Sequence, residues 1–303
     1  MDNSKLIQKI QQLKRKRNAV ILAHNYQIGE VQDIADYTGD SLELSRTASK
    51  TNADVIVFCG VRFMAETASI LCPNKLVLMP DINAGCPMAD MITRDELKAL
   101  KKEHPKATVV AYVNTSAEVK AEIDICCTSG NAVKVVESLK DASEIIFVPD
   151  KYLGHYASVK ANRDLILWDG YCPVHAKILP EDIARQRKAH PKAKIIVHPE
   201  CTPKVIQLAD EALSTSGMCK YAKLSNASEI IVGTEPGMLY RLRKENPEKK
   251  FYPLSDQAIC QDMKLTTLEK VLWCLENMKY EVKVPEDIQI RAKRAMDRML
   301  EVL

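Results

Sequence analysis

Hydrophobic residues along this chain fall into two kinds of pattern that follow one another repeatedly. Short continuous runs rich in Val and Ile, at residues 19–23, 108–111 and 194–197, are typical of parallel strands covered on both faces. Between such runs, apolar residues recur three or four positions apart, which is typical of amphipathic helices. Strands that alternate with helices predict parallel α/β units with right-handed crossovers.

The same order of elements occurs three times. The tetrapeptide His-Pro-Lys-Ala stands at residues 104–107 and again at 190–193, 86 positions later, each time between a helical segment and a β-branched run. In this register each unit has a first strand, a helix, a small polar turn, a second helix, a second strand, another helix and a third strand. The second strands are predicted at 54–58, 144–148 and 229–232, and the third strands at 75–79, 164–168 and 250–254.

This repetition predicts the fold class. We expect three similar three-layer α/β/α domains with parallel sheets, formed by residues 1–103, 104–189 and 190–303. The first domain would include an N-terminal helix, and the third would include the C-terminal helices. We infer a pseudo-threefold axis that relates the domains, with the active site at the centre.

One cysteine follows the third strand of each unit. Cys86, Cys172 and Cys260 are 86 and 88 positions apart, which is the repeat length itself. Ligands bind at the loops that follow the carboxyl ends of parallel strands, so three such loops around one axis would bring three thiols together. The alternative is that they are core cysteines inherited with the repeat. Their Gly- and Pro-flanked loops favour a ligand role, because core cysteines belong on strands and helices.

The number of cysteine ligands, three rather than four, indicates the kind of metal centre. A [4Fe–4S] cluster normally has four Cys ligands, so with three, one iron keeps an open site and can act as a Lewis acid. A zinc ion bound by the same thiolates and a water molecule is the alternative. Zinc ligands usually include close-spaced pairs, and the chain has no Cys-x-x-Cys. These features favour the cluster.

Polar side chains end the first strand of each unit. They are His24 and Tyr26, Tyr112 and Asn114, and His198 and Glu200. His, Tyr and Glu donate and accept protons, and these residues should lie at the same sheet edge as the cysteines. A structural role is the alternative for any one histidine, but three converging strand ends favour a site.

Small Ser, Thr and Gly residues precede the next helix of each unit. Helix N-termini present free N–H groups and the positive end of the helix dipole, which suit anions. Ser41, Ser129, Ser214 and Thr215 are therefore candidates to hold carboxylate or phosphate groups. Plain helix N-capping is the alternative for each of them.

Composition and charge exclude several classes of protein. The 303 residues are 46% hydrophobic and 27% charged, with a formal net charge of only +3 from scattered positive residues, which argues against a nucleic-acid partner. The sequence contains no apolar stretch of about 18 residues, so we expect no membrane span. The polar N-terminus lacks a secretory signal. We therefore expect a cytoplasmic protein whose ten cysteines are reduced.

At these residues the chain resembles the quinolinate synthase family, and the likeness extends along its whole length. The motifs that carry it are Ala-His-Asn-Tyr-Gln at 23–27, Gly-Asp-Ser-Leu at 39–42, Ala-Gly-Cys-Pro-Met-Ala at 84–89, Tyr-Val-Asn-Thr at 112–115, Trp-Asp-Gly-Tyr-Cys-Pro-Val-His at 168–175, His-Pro-Glu-Cys at 198–201 and Gly-Thr-Glu at 233–235. Each motif is weak alone, but together and in this order they are specific.

The resemblance implies an enzyme of NAD biosynthesis that condenses iminoaspartate with dihydroxyacetone phosphate to quinolinate, releasing phosphate and two waters. It implies a [4Fe–4S] cluster bound by Cys86, Cys172 and Cys260, whose open iron assists dehydration. Glu200 would be the main acid/base. The residues implied to orient or protonate bound intermediates are His24, Tyr26, Tyr112, His175 and His198, and those implied to hold carboxylate or phosphate oxygens are Ser41, Asn114, Ser129, Ser214 and Thr215. Transient contact with an L-aspartate oxidase, which would deliver iminoaspartate, is left open.

Two other functions are compatible with three in-register thiolates. The iron–sulfur reductases that dehydroxylate isoprenoid diphosphates resemble this plan of three α/β units and one open iron, although their motifs differ from those above. A non-enzymatic, zinc-stabilised binding module is the second alternative.

Overall fold

The structure is a computed structural model that describes residues 2–302. The first part of the chain forms a parallel four-stranded sheet in the order β2-β1-β3-β4. Its strands are β1 (Ala19–His24), β2 (Tyr37–Gly39), β3 (Val55–Cys59) and β4 (Leu76–Leu78), and its helices are α1 (Asn3–Lys16), α2 (Gly29–Ile34), α3 (Ser41–Lys50) and α4 (Arg62–Leu71). The predicted α/β class is therefore confirmed for this part of the chain.

The second sheet repeats this order as β6-β5-β7-β8. Its strands are β5 (Ala107–Tyr112), β6 (Ile125–Cys127), β7 (Glu144–Val148) and β8 (Ile166–Leu167), and its helices are α5 (Arg94–Glu103), α6 (Ala117–Lys120), α7 (Ala132–Ser138) and α8 (Lys151–Ala161). All pairings in this sheet are parallel.

The third sheet has the order β10-β9-β11-β12 and is also parallel. Its strands are β9 (Lys194–Val197), β10 (Glu211–Ala212), β11 (Glu229–Gly233) and β12 (Lys250–Pro253), and its helices are α9 (Pro180–Ala189), α10 (Pro203–Leu208), α11 (Thr215–Leu224) and α12 (Met238–Glu245). Two further helices, α13 (Leu268–Asn277) and α14 (Glu286–Glu301), complete the fold.

Both faces of each sheet are buried, which explains the continuous apolar runs. In β1, Leu22 packs into one hydrophobic cluster, and its neighbour Ile21 packs into another on the opposite face. In β9, Ile195 and Ile196 are divided between two clusters in the same way. Helices on the two faces supply the partner side chains, as expected for parallel sheets.

The prediction of three strands per unit was wrong, because each sheet has a fourth strand. The missed strands β2, β6 and β10 contain only two or three residues and lie at the sheet edge. Thr38 and Gly39 are among the small polar residues that precede the second helix of the first unit, and they lie in β2 rather than in a turn. Such short edge strands contain too few apolar residues to show a hydrophobic run.

The C-terminal helices pack on the first two sheets. Helix α13 contacts α1 and β3, and its Val271 and Leu275 belong to the hydrophobic cluster under the first sheet. Helix α14 contacts β6, α6 and α4, where Met296 and Met299 are fully buried. These helices therefore tie the end of the chain to the units that precede it.

Candidate active site

A cavity lies where side chains from all three sheets meet. It is lined by residues that follow the first strands, by the polar turns before α3, α7 and α11, and by the loops after β4, β8 and β12. The expected site residues among its lining are His24, Tyr26, Ser41, Cys86, Tyr112, Asn114, Ser129, Cys172, His175, His198, Glu200, Thr215 and Cys260. Residues far apart in sequence thus share one chamber.

The three loops that contain Cys86, Cys172 and Cys260, here called the cysteine triad, are connected to one another. Each cysteine is followed by a short 3₁₀ helix, at Ala89–Met91, His175–Lys177 and Asp262–Lys264. Between the first and third loops, the Gly85 N–H donates to Asp262 Oδ1 at 3.1 Å. Trp168 Nε1, ahead of the second loop, donates to the Met91 carbonyl at 2.7 Å. These bonds hold the loops together around the cavity.

The thiols of the cysteine triad lie in a poorly solvated environment. Burial raises the pKa of Cys86 to about 12, and the neighbouring Cys260 adds to the shift. Burial also raises the pKa of Cys172 well above its usual value, with contributions from Glu200 and Cys86. Burial raises the pKa of Cys260 as well. Free thiolates are therefore unfavourable here, and a bound metal would supply the positive charge that they lack.

The spacing of the sulfur atoms restricts what the cysteine triad can bind. The three sulfurs do not all lie within 4.8 Å of one another. A group that does meet this limit consists of Cys172, His175 and Glu200, so one thiol of the triad lies directly beside acid/base side chains.

The ends of β1 and β9 hold their histidines in the same way. The Tyr26 N–H donates to Nδ1 of His24 at 3.2 Å, and the Glu200 N–H donates to Nδ1 of His198 at 3.3 Å. In both rings Nδ1 is thus an acceptor, so the proton of a neutral ring resides on Nε2. In His198, Nε2 faces the Ser129 hydroxyl at 3.1 Å.

Glu200 lies at the centre of the acid/base groups. Its Oε2 is 2.6 Å from Nδ1 of His175 and 3.6 Å from Nδ1 of His198, and the two rings stack with centroids 4.7 Å apart. Burial alone would raise the pKa of the Glu200 carboxyl, but His175, His198 and a hydrogen bond from Tyr112 lower it to about 2. Glu200 is therefore an ionised carboxylate at neutral pH.

Four of the other acid/base groups are uncharged at neutral pH. Burial lowers the pKa of His24 and of His198 to about 3, although Glu200 opposes the shift in both. Burial and Glu200 raise the pKa of Tyr26 and of Tyr112 well above the usual phenol value. The site thus combines one anionic base with neutral imidazoles and phenols that can donate protons.

The polar turns differ in their role. Asp40 caps α3 by accepting from the Leu42 and Glu43 N–H groups, which places Ser41 at the first helical position. Thr215 begins α11 and accepts a hydrogen bond from Asn25 at 2.8 Å. Ser214 is not among the lining residues; its hydroxyl caps α11 by accepting from the Gly217 N–H at 3.2 Å. For Ser214 the geometry matches the N-cap alternative.

Several lining residues were not expected from the sequence. They include Asp40, Thr128 and the apolar side chains Val61, Phe63, Met64, Met88, Val174 and Met263. Thr234, at the end of β11, lies just behind the lining and contacts two of its residues. Its place at the carboxyl end of a second strand, within the Gly-Thr-Glu motif, is the sequence feature that indicates it.

The fold and this cavity define the class of protein: an enzyme built from repeated parallel α/β units, with thiols and acid/base side chains gathered around one chamber. A family model described as quinolinate synthetase A protein matches residues 8–301. The chain belongs to this family, as its motifs had indicated. The isoprenoid diphosphate reductases and the non-enzymatic binding module are thereby set aside.

Curated relatives match along nearly their whole length. The quinolinate synthase of Dehalococcoides mccartyi is 60% identical, over 97% of both chains. The quinolinate synthase of Thermodesulfovibrio yellowstonii is 54% identical over 99% of both chains, and quinolinate synthase 1 of Methanosarcina acetivorans is 55% identical over 100% of this chain and 99% of its own. Within residues 2–302, no helix is long and apolar enough to cross a membrane.

Proposed function

We propose that this chain condenses iminoaspartate with dihydroxyacetone phosphate to form quinolinate, releasing phosphate and two waters. Membership of the family and the names of its relatives support the product. The observation that carries the proposal is the meeting of the cysteine triad with Glu200 and the surrounding His and Tyr side chains in one buried chamber. Ring formation requires repeated proton transfers and loss of water, which these groups suit.

The proposal includes a [4Fe–4S] cluster bound by the cysteine triad. A single zinc ion lies about 2.3 Å from each thiolate sulfur, so its ligand sulfurs are at most about 4.6 Å apart. The spread of the triad exceeds 4.8 Å and fits a wider group of several metal atoms better than one ion. When bound, such a cluster supplies a Lewis-acidic iron, because three cysteines leave one iron without a protein ligand.

Glu200 is the main acid/base of this proposal. Its ionised carboxylate accepts a proton from the bound intermediate, and His24, His198, Tyr26 and Tyr112 donate to developing charges. His175 bonds to Glu200 and holds its carboxylate in place. Closely spaced neutral donors beside one carboxylate support proton exchange in both directions.

The substrates carry several negative charges, and the remaining polar residues are proposed to hold them. Ser41 and Thr215 begin α3 and α11, where free backbone N–H groups face an anion favourably. Ser129 and Asn114 supply further donors in the same chamber. Ser214 stays in the proposal only as the residue that caps α11 beside Thr215.

The proposal also covers the arrangement of the three domains and the source of the substrate iminoaspartate. The identical strand order of the three sheets supports a pseudo-threefold arrangement of domains 1–103, 104–189 and 190–303 around the site. Iminoaspartate is short-lived in water, so we include transient contact with an L-aspartate oxidase as its source.

The decisive experiment is anaerobic purification followed by iron and sulfide analysis and a quinolinate assay. We expect about four irons and four sulfides per chain and quinolinate that appears only when both substrates are present. A dithiol that mimics the intermediate should perturb the Mössbauer signal of one iron only. A colourless zinc protein, or a cluster without quinolinate formation, would refute the proposal.

A further inference from the structure

A buried amide connects the first sheet with the N-terminus of α11. Asn25 follows β1 between His24 and Tyr26, and its side chain is fully buried just outside the cavity lining. Its Nδ2 lies 2.8 Å from Oγ1 of Thr215, the first residue of α11, and its Oδ1 lies 2.9 Å from Nη1 of Arg241 in α12. Asn25 therefore stands between a half-buried cation and a residue of the cavity.

Arg241 determines which way the Asn25 amide faces. A guanidinium can only donate hydrogen bonds, so the amide atom that faces Arg241 must be the carbonyl oxygen. The guanidinium is itself held in place, because its Nη1 also donates to the Thr38 carbonyl at 2.9 Å and its Nε pairs with Glu245 at 2.7 Å. The NH₂ group of the amide is thereby left facing Thr215.

This orientation determines the role of the Thr215 hydroxyl. An amide NH₂ group can only donate, so the Thr215 oxygen accepts from Asn25 and keeps its own hydrogen. Within residues 2–302 the hydroxyl has no other hydrogen-bond partner, and Thr215 lines the cavity. The hydrogen is therefore available to an acceptor bound in the cavity, such as a carboxylate or phosphate oxygen.

We propose that Asn25 and Arg241 are positioning residues that hold the Thr215 hydroxyl as a hydrogen-bond donor to an anionic oxygen of the substrate. This inference rests on the proposed function. A carboxylate of the first substrate and the phosphate of the second are acceptors of the required kind. With an acceptor in place of the Asn25 NH₂ group, the Thr215 hydrogen would be donated away from the cavity and the anion would lose its partner.

The main test is Asn25→Asp, which preserves the shape and replaces the NH₂ donor by an acceptor. Arg241 would pair with one oxygen of the new carboxylate, and Thr215 would donate to the other. Dissociation constants of inorganic phosphate and of quinolinate are measured with the anaerobically purified enzyme. Since a hydrogen bond to a charged group is lost, we expect at least one of these constants to rise about 10- to 100-fold. Iron content should not change.

Thr215→Val separates this role from the negative charge that the aspartate adds. Valine removes the hydroxyl, so Asn25→Asp in that background should weaken binding of the affected anion at most about threefold. A rise for inorganic phosphate alone assigns the subsite to the phosphate, and a rise for quinolinate alone assigns it to a carboxylate. Equal losses in both backgrounds, or unchanged binding of both anions after Asn25→Asp, would overturn the inference.

Arg241→Met tests what orients the amide, with Arg243→Met as its matched control. Methionine leaves the Asn25 amide free to turn its oxygen towards Thr215, so binding of the same anion should weaken about fivefold. Arg243 lies on the same helix but donates to the Phe251 carbonyl at 2.8 Å, away from the cavity lining, so its loss should leave binding unchanged. Equal effects of the two variants would overturn the inference. Anion binding that depends on Asn25 in an enzyme that forms no quinolinate would uphold it and refute the proposed function.

Discussion

Two sets of three residues recur at the repeat spacing, at opposite ends of the sheets. Asp36, Asp124 and Asp210, here called the aspartate triad, precede the edge strands and are 88 and 86 positions apart. Each accepts a hydrogen bond at 2.8 Å from a backbone N–H of the first strand of its own sheet. The cysteine triad recurs just as regularly, yet its members line one shared cavity.

The comparison shows that recurrence identifies equivalent positions in the fold and not their chemistry. Asp124, for example, bonds to Val109 within its own unit and contributes to local pairing of β5 and β6. Cys86, in contrast, lies near enough to Cys260, in another unit, for Cys260 to contribute to its raised pKa. Convergence between units, and not repetition along the chain, distinguishes the candidate ligand set.

The largest effect is expected in the cysteine triad. Replacing Cys86, Cys172 or Cys260 by serine should abolish the cluster and quinolinate formation, because each thiolate would be an essential ligand. Cys274→Ser should retain both, since Cys274 is a buried residue of α13. Iron and sulfide analysis with an activity assay measures both properties. An iron-free Cys274 variant, or an intact cluster after loss of one triad member, would contradict the ligand assignment.

The second-largest effect, a loss of turnover, is expected at Glu200. The nearly isosteric Glu200→Gln removes the anionic base, so turnover should fall at least about 10²-fold. Iron content should not change, because the carboxylate is assigned to proton transfer and not to metal binding. Glu211→Gln, on β10 at the surface of the same unit, serves as the control. Turnover within a few-fold of the unmodified enzyme would move the acid/base role to His198 or Tyr112.

Two glycines in the cysteine loops, Gly170 and Gly85, differ in how closely their surroundings are packed. A β-carbon at residue 170 would lie 2.3 Å from the Pro149 carbonyl oxygen, whereas one at residue 85 would meet nothing closer than 3.8 Å. Gly170→Ala should therefore destabilise the Cys172 loop by about 1–3 kcal/mol and lower cluster content, while Gly85→Ala should be tolerated. Urea unfolding and iron analysis test this pair. Equal behaviour of the two variants would contradict a fixed Cys172 loop.

The smallest effect is expected in the aspartate triad. Asp124→Ala removes the acceptor of the Val109 N–H and should lower the free energy of unfolding by about 1 kcal/mol. Iron content and kcat should not change, since this end of the sheet is remote from the cavity lining. A marked loss of activity in a stable Asp124→Ala protein would show that both triads serve the chemistry.

The first and second strands were predictable to within about one residue, because they are buried on both faces and their hydrophobicity is continuous. The edge strands β2, β6 and β10 were not, since two or three half-exposed residues produce no such pattern. The residues at the ends of β1, β5 and β9 could be selected from the sequence because parallel strands present their carboxyl ends at one edge. Thr234 was not predicted as a site residue, although it follows the second strand of the third unit and stands in the Gly-Thr-Glu motif.

The sequence by itself determined the repeat, the parallel α/β class, the positions of the three cysteines and the family. These properties depend on local hydrophobic periodicity and on motif order, and both can be read from the linear sequence. Only the tertiary structure decided that α13 packs on the first sheet, that Ser214 caps a helix, and that His175 lies 2.6 Å from Glu200. Apart from the Ser214 cap, these contacts join residues tens to hundreds of positions apart, and their geometry depends on how whole sheets and helices pack together.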